Sequence, residues 1–281
     1  MTRARHLGDD GYVMVAALVF VALFASLAAS TLSSTAGAGA QARAGLHQSR
    51  SAALIDAGLA SAGYALFAGD ATARPPSSID LTLGGGMVRV TIEDEAGRVD
   101  LNVADEELLA ALYRAFGGGR LQAESFAQAV VSWRDTIREK WPATAVRPFR
   151  HVGDLLQVPG TAPADVDTLL HHATVFNPQG SIDPLSAPLR LIAALPGTTQ
   201  ADLESLAAAR LVPGATTEAV FARLVDPSRH LARNPSGIYR VSIAARVESG
   251  HPREASAVVA ASEADAAGFG ILAWYGEGAR R

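Results

Sequence analysis

Three groups of adjacent carboxylates stand out, Asp9-Asp10, Glu93-Asp94-Glu95 and Asp105-Glu106-Glu107, and neighbouring acids of this kind could share a proton for acid–base work. The last triplet opens an apolar-periodic helix, where the dipole favours negative charge, so a structural role accounts for it. The 7 histidines are scattered. His171 and His172 point to opposite helix faces and lack the i, i+4 spacing of a zinc-peptidase helix. Gly84-Gly85-Gly86 and Gly117-Gly118-Gly119 lack a P-loop lysine and read as turns rather than phosphate cradles. There are no cysteines, which removes disulfides and thiolate-bound metals. No catalytic, cofactor-binding or metal-ligating set emerges, and an enzyme is not expected.

The elements around these residues divide the chain. Its 281 residues allow one anchor and one or two folded units. With 28 acids against 24 Lys and Arg, and a net charge of −4, no global field attracts nucleic acid. The mean hydropathy of +0.17 is raised by one N-terminal stretch. No charge occurs over 11–41, and 12–32 approaches the ~20 apolar residues that span a hydrocarbon core, so a membrane helix is expected there. Arg3 and Arg5 precede it, diluted by Asp9 and Asp10. Three readings compete: a plain signal anchor, a secretory signal cut at the A-x-A-like Ala36-Gly37-Ala38, and a leader cut ahead of the apolar stretch.

Helix continues over 41–67, where Leu46, Ile55, Leu59 and Leu66 are apolar and the glycines at 45, 58 and 63 predict bends or breaks. Gly69, Asp70 and Pro75-Pro76 end it before a Ser-rich connection. Val88, Val90 and Ile92 alternate with Arg89, Thr91 and Glu93, which predicts a half-buried strand. A turn at 95–97, a short strand at 98–101 and Asn102 as a helix cap follow. The next helices carry Leu108, Leu109, Leu112 and Phe116, then Phe126, Val130, Trp133 and Ile137, which places Trp133 in the core. Over 148–232 helices alternate with Pro-Gly turns. Strands return at 239–247, 255–261 and 269–275, with a hairpin at 249–252.

The leader, with Gly11 before Tyr12, resembles the cleavage signal of type IV pilins and pseudopilins. IEDEAGRVDLN (92–102), SWRDT (132–136), FRHVGDLLQVPG (149–160), IDPLSAPLRLIAALPG (182–197) and GIYRVSIAARV (237–247) together resemble the K-type minor pseudopilin of type II secretion, over nearly the whole chain. That resemblance implies an α+β fold: a long N-terminal membrane helix, a pilin-like antiparallel sheet packed on it, and a large all-α insertion between strands. In this frame 1–11 is the prepilin leader, 12–74 the helix, 79–102 and 235–276 the sheet, and 103–234 the insertion. Prepilin peptidase would cut after Gly11 and methylate Tyr12. The fifth mature residue is then Ala16, where most pilin-like subunits carry Glu to neutralise a neighbour's N-terminus.

The implied function is assembly at the pseudopilus tip with I- and J-type minor pseudopilins, on the inner-membrane platform, in a single-pass inner-membrane protein with a periplasmic domain. Calcium binds some relatives, but no EF-hand-like run of acids is present and no ligand is assigned. The SWRDT segment also departs from the family, because only Asp135 remains of its usual carboxylates. A rival reading is a DNA-binding protein, since the Pro-Gly turns resemble helix-hairpin-helix units. There the helix N-termini would hold phosphate, yet Asp165 and Asp202 stand in those positions and Pro163 removes a donor. Nucleic acid is therefore not an expected partner.

Overall fold

The computed structural model describes residues 9–68, 75–117, 121–141, 147–212, 214–224, 228–248, 251–265 and 267–276, apart from the side chains of 9–13, 29 and 31–40. One helix, α1 (Asp9–Phe67), has 59 residues and at 1.5 Å per residue extends roughly 90 Å. The bends expected at its glycines do not break it. Gly58 and Gly63 instead lie where the helix comes down on the sheet: a Cβ at Gly58 would stand 2.9 Å from Ile243 Cγ2 and Val88 Cγ1. Their missing side chains permit close approach, which offsets their low helix propensity.

The membrane span expected over 12–32 is corrected by the structure, because no helix among the described residues is long and apolar enough to cross a membrane. The expected single-pass inner-membrane topology, which rested on that span, falls with it.

The main sheet is antiparallel throughout, in the order β1 (Ser78–Leu83), β2 (Gly86–Asp94), β5 (Ile238–Val247), β6 (Arg253–Ala261) and β7 (Phe269–Tyr275). Alternation explains its sidedness. Val88, Val90 and Ile92 of β2 meet Val241, Ile243 and Ala245 of β5 on one face, and α1 seals that face with Leu54, Ile55, Leu59 and Ala62. β1, for which no strand was singled out, lies at the start of the expected sheet segment 79–102: the run SIDLTL pairs with β2 across Gly84 and Gly85, whose positive φ makes the tight turn. The hairpin glycine Gly250, like Gly118 and Gly119, lies outside the described residues.

Between β2 and β5 the chain makes a helical unit with a separate core. A 3-10 turn (Glu95–Gly97) leads to β3 (Val99–Asp100), which pairs in parallel with β4 (Ala173–Thr174) in a small second sheet rather than extending the first. The helices are α2 (Glu106–Phe116), α3 (Ala123–Lys140), α4 (Pro163–Leu169), α5 (Leu189–Ala193), α6 (Gln200–Arg210) and α7 (Thr217–Phe221).

One local expectation changes and one gains a buried polar neighbour. α2 is capped by Asp105, whose carboxylate accepts from Leu108 N–H at 2.9 Å, and not by Asn102. On α3 the buried face is Phe126, Ala127, Val130 and Arg134, while Trp133 is half-buried. Trp133 packs against the insertion core with Phe126 and Val130, and Arg134 beside it donates to the carbonyls of Leu101 (3.3 Å) and Ala104 (2.7 Å) at the β3–α2 turn. Buried carbonyls without helix partners need donors, and a guanidinium supplies several.

Candidate functional site

The expected processing site lies on α1. Gly11 and Tyr12 belong to its helical backbone, their side chains lying outside the described residues, and Ala16 is half-buried on the same helix. The leader residues 1–8, with Arg3 and Arg5, lie outside the described residues, as do the side chains of Asp9 and Asp10. From Met14 to Leu27 the large apolar side chains are exposed, Phe24 by 69%. α1 therefore has two parts: an outer apolar half, and an inner half sealed on the sheet.

A second concentration of chemistry is the junction between sheet and insertion, where the run Glu93-Asp94-Glu95 separates into three roles. Glu93 is an exposed partner of Arg98. Asp94 caps the 3-10 turn through Ala96 N–H (2.8 Å) and accepts from the Ser236 hydroxyl (2.5 Å). Burial raises its pKa against the lowering effect of those two bonds. Glu95 is fully buried: Arg240 Nε donates to it at 2.6 Å, and the Thr174 hydroxyl donates to its other oxygen. One carboxylate thus joins β5, β4 and the turn after β2. Arg240 also lies over the Tyr275 ring, 5.4 Å from its centroid.

Around this pair, Asp100 accepts from the N–H groups of Asn102 (2.7 Å) and Asn177 (2.9 Å), and Asn177 Nδ2 donates to the carbonyls of Arg98 and Ser181. Asn102, the expected cap, holds both the N–H and the C=O of Phe149 instead. Asp183 N–H donates to Ala96 C=O at 2.8 Å, and a Cβ on Gly97 would stand 3.0 Å from the backbone of Ser186. These contacts lock the insertion onto the sheet.

Burial raises the Asp100 carboxyl to about 6, only partly opposed by its two N–H donors and Arg147. The folded protein keeps a proton that the unfolded chain, with an ordinary value near 3.8, has released. Its contribution to stability is therefore full below about pH 4 and is lost as the pH rises through about 6. At about 1.4 kcal/mol per pH unit this amounts to about 2–3 kcal/mol. Urea unfolding from pH 4 to 7 should show the stability difference between the wild type and Asp100→Asn changing by that amount; a pH-independent difference would refute the assignment.

The Pro-Gly turns behave as the chemistry of their acids requires. Gly160 and Gly197 have positive φ, and the helices that follow receive their own carboxylates: Asp165 accepts from Ala162 N–H (3.2 Å), and Asp202 from Thr199 N–H (3.0 Å). Asp154 does the same for Arg150 and His151 N–H. A phosphate arriving there would meet an acid already bonded to the donors it needs.

His172 is stacked on Phe116 at 3.5 Å, and burial, then the nearby His171, Arg98 and Arg190, lower its pKa; His171 is exposed. His230 is buried and bonded to Asp105 at 3.0 Å. Asp105 itself is pushed up by burial, but Leu108 N–H, His230 and Arg229 hold it below the usual range. Among the described residues no group of three or more His, Asp or Glu is placed to hold a metal ion. The buried aspartates are committed to backbone N–H groups, so these residues do not fit a calcium site. Sequence reasoning missed the roles of Glu95, Arg240, Asn177 and Arg134; Arg240 and Asn177 each stand between apolar residues, a local signal that Glu95 and Arg134, beside other charged residues, do not give.

The architecture is that of an α+β protein in which one long helix lies across an antiparallel sheet and a helical unit is inserted between two of its strands. In fold the chain is similar to one chain of the crystal structure of the GspK-GspI-GspJ complex of the type 2 secretion system of enterotoxigenic Escherichia coli, with a TM-score of 0.51 and 13% identity, covering 84% of this chain and 98% of that one. No family model matches the chain, and no curated protein matches it.

Proposed function

We propose that this chain is a structural subunit of a type II secretion system, a minor pseudopilin of the K type, and not an enzyme. The observation that carries the proposal is the division of α1: its inner half is a wall of the sheet core, while its outer half presents apolar side chains that the chain's own fold leaves uncovered. An exposed apolar helix of this kind marks an interaction surface, and helices of neighbouring pilin-like subunits would bury it. The shared fold with a chain of a pseudopilin complex supports the same reading.

The finer assignment follows from the sequence. Prepilin peptidase cuts after Gly11 and methylates Tyr12. I- and J-type pseudopilins are the partners, and Ala16, which cannot neutralise a neighbour's terminus, together with the bulky insertion restricts the subunit to the tip. Mass spectrometry of the protein from its native cells, with and without prepilin peptidase, should show a peptidase-dependent, methylated start at Tyr12. An intact Met1, or a start near Gly39, would overturn the pseudopilin reading.

The geometry does not favour DNA binding, since Asp165 and Asp202 occupy the helix ends that would take phosphate.

A further inference from the structure

A five-stranded sheet is wider than one helix. Strands about 4.8 Å apart place the outer two roughly 19 Å from each other, whereas a helix with its side chains occupies about 10–12 Å. α1 packs chiefly on β5 and β2. On β7 α1 covers that face only at Phe269, which stacks on Phe67 with centroids 5.9 Å apart, and beyond it the face is open. Ile271 pairs with Val259 and Trp274 with Ala257, which puts both on the α1 side, yet they are 50% and 44% exposed. Leu272, at the irregularity between them, is equally open.

Beside this shelf α1 turns Asp56, Ala60 and Tyr64 outward, one helical turn apart. Two adjoining grooves, of about 550 and 830 Å³, run between helix and strand and share Leu59 and Phe269. Asp56 and Asp265 are the charged side chains lining them, and neither has an ion pair or side-chain hydrogen bond among the described residues. The strand FGILAWY carries no charge or proline, the usual guards of a free edge, whereas the opposite edge has Asp80 paired with Arg89.

We propose that this groove seats an α-helix of another pilin-like subunit, which lays an apolar ridge on Ile271 and Trp274 and brings a Lys or Arg to Asp56. A helix fits better than an added strand. A strand joined to the β7 edge would leave Ile271 and Trp274 uncovered, and the irregularity at Leu272 interrupts the ladder it would need. Ala60, small and central, lets a second helix approach α1 closely, and the unpaired acids set the sign of the partner's flank. The inference rests on the pseudopilin reading and adds to it a specific surface, separate from the outer half of α1.

The test places a photo-crosslinking residue at Tyr64 or Leu272 in the full chain, with Leu83 on the opposite edge as control, during co-expression with I- and J-type pseudopilins. Both groove positions should crosslink to one helix of a partner subunit, and Leu83 should not. Ala60→Trp and Asp56→Lys, both at exposed positions, should each lower co-purified partner about tenfold with Tm unchanged. If Ala60→Trp impairs folding, Asp56→Lys and its rescue by a reversed charge on the partner helix decide the matter. Partners that co-purify without groove crosslinks, or that tolerate a folded variant, would overturn the groove and leave the pseudopilin reading standing. Crosslinks to a second copy of this chain or to lipid would overturn the assigned occupant. Failure of every pilin-like subunit to co-purify would overturn both.

Discussion

Arg240→Ala is expected to destabilise the protein by about 3–5 kcal/mol, because it strands a buried carboxylate. Glu95 has no solvent exposure, and its charge is balanced by Arg240 Nε at 2.6 Å. After truncation the Thr174 hydroxyl remains on one oxygen, a neutral donor facing a full negative charge. The partner responds differently. Arg240 keeps part of its side chain in water, at 18% exposure, so Glu95→Gln leaves a cation that solvent can reach. Urea unfolding at pH 7 should therefore rank Arg240→Ala well above Glu95→Gln in cost. The double variant should cost less than the sum of the singles, since the two side chains act as one unit. A loss below about 1 kcal/mol for Arg240→Ala would show that the pair behaves like an exposed ion pair. Because this pair ties β5 to the turn leading into the insertion, its loss should also loosen the angle between the two cores, which hydrogen exchange at the 3-10 turn would register.

Phe126→Ala should be comparably costly, about 3–5 kcal/mol, for a different reason. The ring is fully buried in the insertion core and stacks on Tyr113 with centroids 4.5 Å apart. Tyr113 in turn uses its hydroxyl to accept from Leu121 N–H (3.2 Å) and to donate to Asp165 (3.1 Å), so it is fixed from two sides and cannot collapse into the space. The cavity would remain, together with its lost contacts. Because the sheet and the insertion have separate cores, the damage should be regional. Hydrogen exchange is expected to show protection lost first in α2 and α3, with β2 and β5 least affected. Uniform loss across the sheet would mean that the junction couples the cores into one cooperative unit.

Several elements were legible in the sequence because their code is local. Val88, Val90 and Ile92 alternate with polar residues, and Val241, Ile243 and Ala245 with polar or small ones, and a period of two names both the strand and its buried face. The acids after the Pro-Gly turns were legible as well, since Asp165 and Asp202 lie three residues past their caps and need only one helical turn to reach the backbone. β1 was less visible: SIDLTL is short and mixed, and its strand character comes from pairing with β2.

Other features depended on residues far apart in the chain. Glu95 stood in an acidic run that looked solvated, and its partner lies 145 positions away. Trp133 was expected inside on helical spacing and packs against the insertion core, but that spacing did not show that Arg134 beside it is buried on the carbonyls of Leu101 and Ala104. Asn102 looked like a cap from its position before a helix, but the loop at Phe149, 47 residues on, claims its side chain. The apolar stretch at 12–32 invited a membrane reading from composition alone, and among the described residues it falls short of a span. The sequence by itself determined β2, β5 and the acids that close the Pro-Gly turns, because hydrophobic period and N-terminal hydrogen bonds act within a turn or two of chain. Only the tertiary structure decided which polar groups are buried together, because desolvation and pairing depend on what surrounds a group in space rather than on its neighbours along the chain.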